Sequence, residues 1–66
     1  MVVANGRESR DEALGRLPLM YSVALRLRDA GIPDELIAST LGIATEAMPA
    51  FMMLAKAKLA ATGFAD

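Results

Sequence analysis

Residues 32–59 read IPDELIASTLGIATEAMPAFMMLAKAKL, and this stretch decides the fold of the 66-residue chain. Apolar residues recur in it every three or four positions, a spacing that predicts amphipathic helices. We expect one helix over 33–41 and a second over about 46–61. Gly42 ends the first helix, because glycine adopts the left-handed turn conformation without steric cost.

The two helices have apolar faces that can pack against a common core. The inward side chains expected of the first are Leu36, Ile37 and Leu41. Those expected of the second are Met48, Met52, Ala55 and Leu59. Two short helices joined by a glycine turn indicate a helix-turn-helix, whose second helix normally enters the DNA major groove.

The start of the last helix is ambiguous in the sequence. Thr45 could cap it, and Pro49 would then remove one hydrogen bond within the helix. Alternatively, the helix starts nearer Met48 or Pro49 and is almost one turn shorter. In either case, Pro49 is expected to move Met48 away from the α conformation.

The N-terminal half predicts two further helices. Ser9 and Glu12 have the spacing of a capping box and predict a helix over about 10–16. The next helix is predicted over 18–30, beginning at Pro18 and stopping at Gly31. Its expected inward residues are Met20, Val23, Ala24 and Leu27, and Tyr21 is expected at the edge of the core. The chain is therefore predicted to be all-α, a small four-helix bundle over 9–62, with a flexible tail at 1–8 and a short tail at 63–66.

Composition excludes several chemistries. The chain has no Cys and no His, so it has neither a thiolate nor an imidazole for catalysis or metal binding. No glycine-rich phosphate loop is present, and the adjacent acids Asp11-Glu12 and Asp34-Glu35 diverge on a helix. We expect no enzyme activity, no catalytic residues, no cofactor and no metal.

The charge balance argues against strong binding to DNA by the chain alone. The net charge is −1 and the sequence pI is near 5.2, whereas DNA binders usually present a basic face. No apolar run approaches the roughly 18 to 20 residues that cross a bilayer, and no signal peptide is recognisable. We expect a cytoplasmic protein without a membrane partner.

The predicted last helix is apolar on more than one side. Hydrophobic residues make up 55% of the chain, more than one small core can hold. Because a 66-residue fold cannot bury this helix all round, Phe51, Met53 and Leu54 are expected to face a partner. The alternative is that the outer alanines make this side only weakly apolar and tolerable in water.

Four segments together resemble region 4 of bacterial RNA polymerase sigma factors, the domain that reads the −35 promoter element. They are EALGRLP (12–18), ALRLRDAGI (24–32), LIASTLGI (36–43) and LAKAKL (54–59). LuxR-type output domains are a weaker match. The resemblance implies a helix-turn-helix in a transcription setting, without the parts that bind the polymerase core and melt the −10 element.

Departures from this family fall on the recognition helix. Pro49, Phe51 and Leu54 stand near positions where the family has Lys or Arg, and Ala44 stands where it has a capping Ser. The resemblance carries possible DNA contacts over to four residues, which are Thr45, Glu46, Lys56 and Lys58. Two arginines, Arg26 and Arg28, could touch phosphate, although both also suit an ordinary solvated helix face.

Two functional hypotheses follow. In the first, the apolar recognition helix mediates self-association, as a homo-oligomer such as a dimer, or binds a protein such as RNA polymerase or a sigma factor. In the second, the chain is a sequence-specific DNA-binding regulator of the sigma region 4 type, and dimerisation would double its weak basic footprint. Charge and the composition of residues 48–59 favour the first.

Overall fold

In a computed structural model that describes residues 9–64, the chain forms helices and no strand. The described helices are α1 (Arg10–Gly15), α2 (Leu19–Asp29), α3 (Asp34–Leu41), a 3₁₀ turn (Thr45–Ala47) and α4 (Met48–Ala61). The predicted all-α class with four helices is therefore confirmed. The tail predicted over 1–8 lies outside the described residues, as do the last two residues of the tail predicted over 63–66.

The predicted capping box starts α1. The Ser9 side-chain oxygen accepts a hydrogen bond from the Glu12 backbone N–H at 3.1 Å, and the Glu12 carboxylate accepts one from the Ser9 N–H at 2.9 Å. These two bonds satisfy backbone donors that the first helical turn cannot pair internally. The sequence signal therefore fixes where α1 begins.

A glycine followed by isoleucine ends both α2 and α3. Gly42 has a φ of 73°, and the Ile43 N–H donates to the Ala38 carbonyl at 2.9 Å. The Gly42 N–H donates to the Ser39 carbonyl at 3.4 Å, which completes a Schellman cap. The Ile43 side chain then packs against the core. The predicted left-handed turn at Gly42 is confirmed.

The later of the two expected starts is the observed start of α4. Thr45 begins the 3₁₀ turn and does not cap α4. Pro49 is the second residue of α4, and at that position a backbone N–H would have no hydrogen-bond partner within the helix, so proline removes no helical hydrogen bond. The expectation for Met48 was wrong, because this residue is helical, with φ −59° and ψ −42°. Its side chain is buried, and burial worth about 2 kcal/mol can offset the local preference of a residue before proline.

Helices α1, α3 and α4 each pack against α2, and buried residues of all four helices form one core. All four predicted inward residues of α4 are buried. The predicted faces of α2 and α3 need correction. In α2 the buried residues are Ser22, Ala24 and Leu25, and Met20 is 45% exposed. In α3, Ile37 and Ala38 are buried, Leu41 is half-buried, and Leu36 is 56% exposed.

No helix within residues 9–64 is by itself both long and apolar enough to cross a membrane. A bent pair, Asp34–Leu41 with Thr45–Ala61, would qualify by length and composition, but it turns by 112° between its parts.

Candidate interaction surface

One side of α4 points away from the core and carries no charge. We call this side the outer face of α4, and it consists of Ala50, Met53, Leu54, Ala57, Ala60 and Ala61, all of them exposed. Met53 is 72% exposed and Leu54 is 52% exposed, so the two largest side chains of this face lie mostly in solvent. The opposite side of the same helix packs in the core. Helix α4 is therefore apolar on both sides, and the part of the chain that the structure describes covers only one of them.

Phe51 lies at the boundary between the core and the outer face of α4. Its ring centroid is 5.0 Å from that of Tyr21 in α2, and the two rings are inclined by 32°. Both residues are half-buried and pack against the core. Tyr21 therefore lies at the edge of the core as predicted. Phe51 is thus less exposed than Met53 and Leu54.

The connection between α3 and α4 is short and sharply bent. Three residues, Gly42–Ala44, separate α3 from the 3₁₀ turn, and the chain bends by 112° across them. Helices in a helix-turn-helix cross at about 90–120° and are joined by a turn of similar length. The outer face of α4 lies on the second helix of this pair.

A groove of about 320 Å³ runs beside the outer face of α4 and carries two basic side chains. Its walls are formed by Arg28, Asp34, Pro49, Met52, Met53 and Lys56. Within residues 9–64, the side chains of Arg28 and Lys56 make no hydrogen bond or ion pair. The fold thus brings together two candidate phosphate-binding residues that are 28 positions apart in the sequence. It adds Asp34, an acid that the sequence did not relate to them.

Arg26 is exposed, but its guanidinium group is already engaged. It forms an ion pair with the Asp11 carboxylate, donates to the Asp11 carbonyl at 3.2 Å, and donates through Nε to the Ser22 hydroxyl at 3.2 Å. A second ion pair joins Arg10 to Asp29, so two pairs link α1 to α2. A phosphate at Arg26 would have to compete with these contacts.

The remaining candidate DNA contacts are exposed but dispersed. Thr45 and Glu46 lie in the 3₁₀ turn before α4, and Lys58 lies in the last turn of that helix. Lys58 and Lys56 are about 200° apart around the axis, so they point to different flanks. The structure therefore groups Lys56 with Arg28 and leaves Lys58 outside the groove.

The described residues offer little to hold a metal. Among residues 9–64, no group of three or more acidic, His or Cys side chains comes together. No buried side-chain nitrogen or oxygen in this part of the chain lacks a hydrogen-bond partner. Besides the outer face of α4 and the groove beside it, the described residues form a cavity of about 420 Å³ between α1 and α2, lined by Arg10, Asp11, Leu14, Arg26, Asp29 and Ala30.

Compared with protein-family models, curated proteins and solved structures, the chain matches none of them.

Proposed function

We propose that this protein is a non-enzymatic helix-turn-helix module that binds another protein chain through the outer face of α4. The observation that carries the proposal is the exposure of Met53 and Leu54 on the second helix of the bent pair. An apolar helix face of this kind normally lies in a hydrophobic groove or against another helix. Methionine suits such a contact because it adapts to irregular surfaces.

The helix-turn-helix assignment rests on the geometry of α3 and α4. The 112° bend, the three-residue connection and the left-handed Gly42 agree with the motif. The resemblance to sigma region 4 supports a place in transcription, and hence in the cytoplasm. The proposed partner is a second copy of the chain or a protein of the transcription machinery, such as RNA polymerase or a sigma factor.

Protein binding is favoured over DNA reading by the side chains on α4. Base edges in the major groove are read mainly by Arg, Lys, Asn and Gln, which donate or accept paired hydrogen bonds. The outer face of α4 has none of these residue types. An apolar face would gain contacts only with thymine methyl groups, whereas a protein partner could cover it fully.

Light scattering tests the proposal by measuring the mass of the particles in solution. The first sample is the chain alone, from about 10 µM to 1 mM. The second contains purified RNA polymerase or sigma factor as well, and the third contains duplex DNA at low salt. We expect the mass to rise with concentration or with added protein. Met53→Lys with Leu54→Lys should abolish that rise. If this double variant matches the parent in every sample while DNA raises the mass, the proposal is wrong.

DNA binding is a second candidate, and the groove beside α4 favours it. Arg28 and Lys56 have no partner among the described side chains, and they line the same groove as Pro49, at the start of α4. Two such cations could neutralise backbone phosphates. This function predicts binding that weakens steeply with salt, and the absence of any binding to promoter or random duplex at low salt would exclude it.

A further inference from the structure

We propose that the outer face of α4 pairs with the same face of a second copy of this chain, with the two helices antiparallel. This inference rests on the proposed function, and it commits to one occupant and one orientation. It follows from the spacing, the size and the charge of the exposed residues.

The exposed side of α4 and of the turn before it contains a seam with coiled-coil spacing. The seam residues are Ala47, Ala50, Leu54, Ala57 and Ala61, and all five are exposed. They are separated by three, four, three and four positions, which is the spacing of the two core positions in a heptad. The face that α4 turns toward its own core uses a different set of residues. Within residues 9–64, one helix therefore has two apolar seams, and the core covers only one of them.

Side-chain size along the seam selects the antiparallel orientation. Antiparallel pairing can place Leu54 opposite Ala50 of the second copy, and Ala47 opposite Ala57. Each leucine then packs against an alanine, so the leucine bulk is divided equally between the two central layers. Parallel pairing would place Leu54 against Leu54 and alanine against alanine elsewhere. The leucine layer would hold the helices apart and leave gaps at the alanine layers.

The charges favour the same orientation. Glu46 lies next to the seam at the N-terminal end, and Lys58 lies next to it in the last turn of α4. In the antiparallel register Glu46 of one copy and Lys58 of the other lie at the same level along the helices but on opposite flanks of the seam, so their attraction is weak. The opposed helix dipoles attract each other in this orientation. Parallel pairing would bring like charges to the same end. The net charge of −1 per chain adds little long-range repulsion.

The expected dimer is weak, because a pair of single helices buries less surface than a standard interface of about 1,600 Å². We therefore expect a monomer–dimer equilibrium between about 10 µM and 1 mM. Sedimentation equilibrium measures it. Leu54→Lys should raise the dissociation constant at least about tenfold. Leu36→Lys is the matched control, because Leu36 is exposed to a similar extent on α3, and it should leave the constant unchanged.

Single cysteines test the orientation, since the chain has none of its own. In the antiparallel register, Ala47→Cys and Ala57→Cys face each other across the interface, within the roughly 7 Å that a disulfide can span between Cα atoms. Two copies of the same variant place their cysteines about 15 Å apart along the helices. We expect a mixture of the two variants to cross-link under mild oxidation, and either variant alone to remain uncross-linked.

The outcomes separate this inference from the proposed function. Cross-linking of Ala57→Cys to itself, or a monomer at every concentration, overturns antiparallel self-pairing. If Leu54→Lys still abolishes binding to RNA polymerase or a sigma factor, the proposed function stands without it. If Met53→Lys with Leu54→Lys changes neither self-association nor binding to another protein, both the antiparallel dimer and the proposed function are wrong.

Discussion

The ring centroid of Phe51 in α4 lies 5.0 Å from that of Tyr21 in α2. This contact distinguishes Phe51 from the other large apolar residues on the exposed side of α4. Phe51 is half-buried and helps to hold α4 against α2, whereas Met53 is mostly in solvent. The three residues that the sequence assigned to a partner face are therefore not equivalent. Phe51 contributes to the packing of the fold, whereas Met53 and Leu54 are the exposed residues that we propose for binding.

Truncating Phe51 should lower the stability of the fold more than truncating Met53. We expect Phe51→Ala to lower the free energy of unfolding by about 2 kcal/mol, less than for a fully buried ring. Met53→Ala should change it by less than about 0.5 kcal/mol, because the side chain is exposed. Urea denaturation followed by circular dichroism, at a concentration where the chain is monomeric, measures both. Equal decreases would show that Met53 also belongs to the core.

The same substitution at two glycines should have opposite effects. Gly42→Ala places a Cβ at a φ of 73°, which costs about 1–2 kcal/mol even though no atom lies within 4 Å of the new carbon. Gly15→Ala also has open space, but Gly15 lies in α1, where alanine should stabilise by about 0.5–1 kcal/mol. Thermal unfolding of the two variants compares them. A stabilised Gly42→Ala variant would contradict the left-handed turn.

The ends of the helices could be predicted from the sequence because they depend on local chemistry. Ser9 and Glu12 form the capping box as expected, and Gly42 takes the left-handed conformation that ends α3. Each of these signals acts over three or four residues. They need no knowledge of how the helices pack.

The faces of α2 and α3 were predicted only in part: Ala24 and Ile37 are buried as expected, whereas Met20 and Leu36 are exposed. Leu36 and Ile37 are adjacent and both apolar, so periodicity alone does not say which one points inward. Packing against α2 decides it, and Ile37 is the buried residue. The groove was hidden for a related reason, because Arg28 and Lys56 are brought together only when α2 crosses α4.

Substitutions at this adjacent pair test the corrected face of α3. Leu36→Glu should change the free energy of unfolding by less than about 0.5 kcal/mol, since the side chain is 56% exposed. Ile37→Ala should lower it by about 2–5 kcal/mol, which is comparable to the whole stability of so small a domain. Ile37→Val, with an expected decrease of about 0.5–1.5 kcal/mol, keeps the comparison measurable. If Leu36→Glu lowers the free energy of unfolding more than Ile37→Val does, Leu36 belongs to the buried face of α3, as the sequence predicted.

Removing the two cations of the groove should distinguish the two candidate functions. Arg28→Gln with Lys56→Gln leaves the outer face of α4 intact, so protein binding through that face should be unchanged. Any duplex binding at low salt should weaken, and its salt slope should fall by about one for each phosphate that is no longer neutralised. Fluorescence anisotropy of a labelled duplex, from about 20 to 200 mM salt, measures the slope.

Arg26→Gln is the control for this experiment. Arg26 carries the same charge on the same helix as Arg28, but it is bound to Asp11 and Ser22. Its removal should therefore change the salt slope less than the removal of Arg28. If Arg26→Gln weakens duplex binding more than the double variant does, phosphate binds beside α1 and not in the groove along α4. The groove would then have no part in the second candidate function.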